Sequence, residues 1–249
     1  MSATQPIIFW FRQDLRLTDL PGLTAAARSG KPVLALYLLD DDSPGRYRRG
    51  AASRWWLHHS LHSLQHELEQ AGGRLLLRRG SALDVLPQLA EEVDAAAVYC
   101  SAGAEPWAVT LEGELRSALA RAGTEFRRFP GNLLFAPDAI RNRQGKPFRV
   151  FTRFWQTCLA QPTRGGALGA PLQDIAFYRG QAASLDLDNL ALLPGNPDWA
   201  AGWSRLWRPG SHNAQQVLDT FLTNALTEYA EQRDFPAADH TSHLSPHLH

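Results

Sequence analysis

The run "PIIFWF" at residues 6–11 is unbroken hydrophobicity. It shows neither the 3.6-residue stripe of a surface helix nor the alternation of a half-buried strand, and it is too short for a buried helix. A strand covered on both faces reads this way. The same texture returns in "PVLALYLL" (32–39), "RLLLR" (74–78), "AAAVYC" (95–100) and "EFRRF" (125–129). Amphipathic segments fill the gaps. Leu57, Leu61, Leu64, Leu68 and Ala71 recur at helical spacing, and Gly72-Gly73 closes that stripe. Leu111, Leu115, Leu119 and Ala122 make another, closed by Gly123, and Ser81 with Asp84 has the form of a capping box ahead of Val85, Leu86 and Leu89. Such alternation predicts an α/β fold within residues 5–130: a Rossmann-like five-stranded parallel sheet with helices on both faces.

The texture changes after residue 130. Gly, Pro, Asn and Asp are scattered through "GNLLFAPDAIRNRQGKP" (131–147), "QPTRGGALGAP" (161–171) and "LLPGNPDW" (192–199). One helix interrupts them, marked by Phe151, Phe154, Trp155, Cys158 and Leu159. A connection this long is unusual inside one compact domain, so residues 131–205 are expected to link two domains. The second starts at 206, where "SHNAQQVLDTFLTNALTEYAEQR" (211–233) predicts a single helix. Ser211 is its expected N-cap, and Val217, Leu218, Phe221, Leu222 and Ala225 its buried side.

Composition narrows the function. With 44% hydrophobic and 20% charged residues the chain can bury a core. Lys plus Arg equals Asp plus Glu at 25 each, so any DNA contact has to come from a local patch. Cys100 and Cys158 are the only cysteines, too few for a zinc site, and read as reduced thiols. Without a signal-type N-terminus or an apolar segment of ~20 residues, the expectation is a cytoplasmic protein.

Nucleotide fingerprints are missing: no GxGxxG follows the first strand, and there is no GxxxxGK[ST]. "LDDDS" (39–43) reads as a solvated turn with aspartate as local cap. His58, His59, His62 and His66 read as an exposed or half-exposed polar face opposite the leucine stripe, not a metal site. "WFRQDLRLTD" (10–19) sits at a strand's C-terminal end, where open α/β sheets bind ligands. A structural salt-bridge knot and a ligand contact fit that spacing equally well.

"WFRQDLRLTD", "GAASRWWLHHSL", "PFRVFTRFW" and "EYAEQRDFP…TSHLSPHLH" follow one another in this chain as they do in the DNA photolyase and cryptochrome family. From about residue 6 onward the sequence resembles the N-terminal part of that family. The resemblance implies an antenna domain (5–130), an interdomain linker (131–205) and the start of an all-α FAD-binding domain (206–249). The sequence is then the front part of a larger light-driven flavoprotein, stopping inside the flavin-binding loop before the family's usual "FGE". As given, it is expected to be inactive alone.

The resemblance assigns FAD binding to Tyr229, Thr241, Ser242, His243, Leu244 and Ser245. The loop's own chemistry agrees: hydroxyls and N–H groups precede Pro246 at a helix start, which suits an anionic pyrophosphate. Arg233 matches a family arginine on the DNA-facing side, with a local pair to Asp234 as the alternative. "CSAGAEPW" (100–107) stands where many relatives carry "WNRRYEPW", so a folate- or deazaflavin-type antenna pigment is not implied by these residues. Glu105 and Trp107 there read as N-cap and core contact. The implied activity is light-dependent repair of cyclobutane pyrimidine dimers in DNA by a monomeric lyase using reduced FAD. A cryptochrome-type blue-light photoreceptor and a non-functional truncated product are the alternatives. No catalytic residue and no metal is expected within the chain.

Overall fold

The computed structural model describes residues 5–136, 138–161 and 175–248. Strands β1 (Ile7–Phe11), β2 (Val33–Leu39), β3 (Leu75–Arg79), β4 (Ala97–Ser101) and β5 (Glu125–Phe129) form one parallel sheet in the order β3-β2-β1-β4-β5. Every residue of β1, β2 and β4 is buried, as their unbroken apolar runs require. Ile7, Phe9 and Phe11 face one core with α1 (Pro21–Arg28) and α2 (Ala51–Gln70). Ile8 and Trp10 face a second core with α3 (Ala82–Glu92) and α4 (Pro106–Arg121). The chain changes face after β3, so the strand order reverses between β1 and β4. A crevice opens at such a switch point.

Leu57, Leu61, Leu64 and Leu68 are buried along α2, and Leu111, Leu115 and Leu119 along α4. Ala71 and Ala122 are exposed, because each helix has already reached its C-cap there. His58 is buried rather than on a polar face, within the electrostatic influence of Asp188 from the later chain. The Ser81–Asp84 capping box does not form. Asp40 takes over that role from the end of β2: its Oδ2 accepts the Ala82 N–H at 2.8 Å, and its Oδ1 accepts those of Asp42 and Ser43. The "LDDDS" turn thus caps itself and α3 together.

The connection after 130 does more than hug a surface. Phe177, Leu190 and Leu192 are buried in the core of β1 and α2, and the Leu185 N–H donates to Leu77 O at 2.9 Å, closing the free edge of β3. Much of "QPTRGGALGAP" lies outside the described residues. Helix α5 (Phe151–Leu159) forms as expected but buries only Cys158, leaving Phe151, Trp155 and Leu159 exposed.

The long C-terminal helix is broken. Helix α6 (Ser211–Asn224) ends at Ala225; a 3₁₀ turn (Leu226–Glu228) and the short α7 (Tyr229–Gln232) follow. Its N-cap is Gly210 at φ +119°, where a Cβ would collide with Ser63. Ser211 lies one residue inside and donates its hydroxyl to Glu67 at 2.8 Å, tying α6 to α2. Of the expected buried face only Ala225 is buried; Val217, Leu218 and Phe221 are half-buried and Leu222 is exposed. An amphipathic pattern marks which face can be covered, and the described chain covers little of this one.

Candidate functional site

Two places concentrate polar chemistry. The first is the crevice between β1 and β4. Arg12, just past β1, donates to Glu112 Oε1 at 2.5 Å, with its guanidinium 4.9 Å from the Trp10 ring and 6.0 Å from that of Trp107. Glu112 is buried on α4 and accepts two more bonds at 2.7 Å, from Arg128 of β5 and from the Gly103 N–H. Asp14, also buried, accepts the Arg12 N–H at 2.9 Å and the Ser101 hydroxyl. The salt-bridge knot expected of "WFRQDLRLTD" forms, but with Glu112, and Arg12 also lines a recess of about 130 Å³. Gly103 is required in that wall, since a Cβ would sit 2.6 Å from Ala108 Cβ.

Cys100 lies beneath this recess, fully buried, and burial pushes its thiol up to about 12, which removes it as a nucleophile. Glu105 is the N-cap of α4 but makes no side-chain cap bond, and Trp107 is half-buried against the core. Among the described residues no group of three or more His, Cys, Asp or Glu could hold a metal ion.

The second place is the C-terminal loop. Tyr229 opens α7; its ring is edge-on to Phe221 at 5.6 Å and is overlaid by the Arg233 guanidinium at 5.7 Å. Arg233 also stands 3.8 Å from Asp234. His240 lies 3.7 Å from Glu228, which brings the loop beside the start of α7. Within the loop, His243 turns the backbone with φ +50° and reaches Asp239 at 2.6 Å, while Leu244 N–H contacts Ser242 Oγ at 3.4 Å. Thr241 and Ser245 are exposed and Ser242 is half-exposed. Ser245–His247 form one 3₁₀ turn instead of the expected helix start, and the His247 ring rests 5.0 Å from Trp56 of α2.

The sequence model described as DNA photolyase matches residues 7–174. The chain belongs to the DNA photolyase family. A protein of Agrobacterium fabrum named deoxyribodipyrimidine photo-lyase is 40% identical over 245 residues, 98% of this chain and 50% of that one. Cryptochrome-1 of Arabidopsis thaliana is 32% identical over 244 residues, 97% of this chain and 35% of that one. A crystal structure of a class III photolyase from Agrobacterium tumefaciens is 38% identical with a TM-score of 0.88, over 98% of this chain and 50% of that one. The chain thus spans half or less of these photolyase-family relatives.

The motif "WFRQDLRLTD" marked the β1 side of the crevice, with Arg12 and Asp14, but Ser101 and Glu112 were not read from sequence, because only the parallel sheet brings them to it. Their one local trace is Glu112, charged yet next to Leu111 in the α4 stripe.

Proposed function

We propose that the complete protein is a light-driven DNA-repair lyase that splits cyclobutane pyrimidine dimers. Residues 5–130 are its antenna domain, 131–205 its linker and 206–249 the start of its helical FAD-binding domain. The reading is carried by the likeness to a named deoxyribodipyrimidine photo-lyase, which continues through 98% of the chain and so includes Tyr229 and the 241–245 loop. The loop's chemistry fits a pyrophosphate: three hydroxyls, two of them exposed, stand beside a backbone turned by His243. Reduced FAD, when bound, supplies the light absorption and the electron. The chain's own share is to hold it: Thr241, Ser242 and Ser245 donate to the phosphates, and Tyr229 donates its hydroxyl. Arg233 contacts DNA. A flipped dimer is cheaper to extrude than an intact pair, which gives part of the selectivity. The crevice of Arg12 and Trp10 takes an antenna pigment, and the protein works as a cytoplasmic monomer.

The test is a repair assay on a dimer-containing oligonucleotide with the complete gene product, illuminated and dark. Repair only in the light is expected; equal dimer loss in both, or none, contradicts the proposal. Arg233→Ala should leave flavin content unchanged and weaken DNA binding, with a salt slope shallower by about 1. The likeness to Cryptochrome-1 favours a photoreceptor as the second reading, for which light would change the flavin spectrum without dimer loss.

A further inference from the structure

The sheet has two edges, and the chain treats them differently. At β3 the later chain closes the edge: Leu185 N–H donates to Leu77 O at 2.9 Å, and Leu77 N–H donates to Ser184 Oγ at 3.0 Å. At β5 nothing among the described residues does so. Glu125 N–H donates inward to Ala96 O, and Phe129 O accepts inward from Ala102 N–H. By the alternation of a parallel ladder, Phe126 and Arg128 then turn their N–H and C=O groups outward. Those two donors and two acceptors have no partner among the described residues. A bare edge is a template for another strand, and charge is one way of guarding it. Here the guard is mostly positive. Arg127, Arg128 and Arg116 of α4 are exposed and line a recess of about 430 Å³ with Phe126, Phe129 and Leu133, and its walls hold no acidic residue. Arg128 is engaged by Glu112, but Arg127 only leans on exposed Glu125 at 3.7 Å, and Arg116 makes no ion pair among the described residues.

We propose that the free edge of β5 docks an extended acidic segment of another protein, which joins the sheet as a sixth strand. In strand addition the main-chain bonds supply affinity and the alternate side chains supply specificity. The outward groups of Phe126 and Arg128 provide the bonds. Arg128 shares the α4 face of the sheet with Phe126, and Arg127 takes the opposite face beside Tyr99, so carboxylates on both faces of the added strand meet a guanidinium. The same arginines repel basic strands, which makes the guard selective. A second copy of the chain fits less well, because β5 paired with itself over its full length sets Arg127 against Arg127. Nucleic acid fits less well too, since a phosphate backbone has no N–H to give the two outward carbonyls.

Fluorescence anisotropy tests this on the complete protein and on the 249-residue chain. The probe is a labelled, capped peptide of glutamate and threonine with carboxylates on both faces. It is expected to bind both proteins, and its lysine counterpart neither. N-methylation at every second residue leaves the peptide one open edge and should not change its affinity. N-methylation at every residue should weaken it about tenfold or more, the worth of two backbone bonds. The Arg116→Ala, Arg127→Ala double variant should lose about tenfold or more at an unchanged thermal midpoint, which shows that folding is not what is being read. Equal binding by the fully methylated peptide would leave only a charged patch and overturn the proposal. Tighter binding of oligothymidylate of equal charge, lost in the double variant, would make the surface one for nucleic acid and overturn it as well. Binding by the 249-residue chain alone would mean that the rest of the complete protein occupies the edge. A dimer in sedimentation that the peptide dissolves would assign the edge to a second copy. Either result, or no binding at millimolar peptide, also overturns the proposal.

Discussion

Glu112 carries more of the crevice than any other side chain: it is buried and holds Arg12, Arg128 and the Gly103 N–H at once. Glu112→Ala would leave two guanidinium groups without a counter-charge, and breaking buried pairs of this kind costs about 3–5 kcal/mol. Urea unfolding should show a loss of that order, with Glu112→Gln losing less; a change under about 1 kcal/mol for the alanine variant would mean solvent already screens the triad. His58 is a second residue whose role came only with the fold. Burial lowers its pKa, Asp188 opposes and His62 assists, and burial likewise lowers those of His59 and His247. The unfolded chain then binds more protons than the native one, so stability present above about pH 6.5 declines as pH falls through the folded values. Thermal midpoints from pH 7.5 to 5 should fall, and His58→Leu should flatten that slope because it removes a group whose folded pKa burial depresses. A steeper slope in the variant would reverse this assignment. Glu112 left only the trace of a charge beside an apolar stripe and His58 none, since their partners lie across the fold.

Among the elements, β1, β2 and β4 were legible because strands buried on both faces leave no alternation to misread. The leucine stripes of α2 and α4 were legible for the same reason: a residue at 0% exposure, such as Leu64, has one reading. Leu64→Ala should cost about 2–5 kcal/mol by denaturant titration. Helix termini were read less well. The cap of α3 comes from Asp40, 42 residues away, which no local pattern announces. Asp40→Ala should therefore cost about 0.5–2 kcal/mol, whereas Ser81→Ala should cost little. Equal losses at both positions would restore the local capping box. In α6 the apolar pattern was read correctly as a face and wrongly as a buried one, because periodicity states what can be covered and not what covers it.

At the scale of the whole molecule, the strands and helices of the sheet bury its two cores, while the flavin loop leaves the Thr241 and Ser245 hydroxyls exposed. The 249-residue chain should therefore emerge colourless from desalting after incubation with FAD. The central claim is that Tyr229 and the 241–245 loop bind the cofactor of a photolyase. Calorimetric titration of FAD into the complete apo-protein tests it most directly, with alanine at Thr241, Ser242 and Ser245 together, and Tyr229→Phe alone. Hydrogen bonds to charged groups contribute roughly 1.5–3 kcal/mol each and neighbours rarely add cleanly, so the triple variant should weaken FAD by at least one to two powers of ten. Tyr229→Phe should lose less. If the triple variant holds FAD as tightly as the parent, the loop is only a turn before a 3₁₀ helix, and the flavin site lies elsewhere.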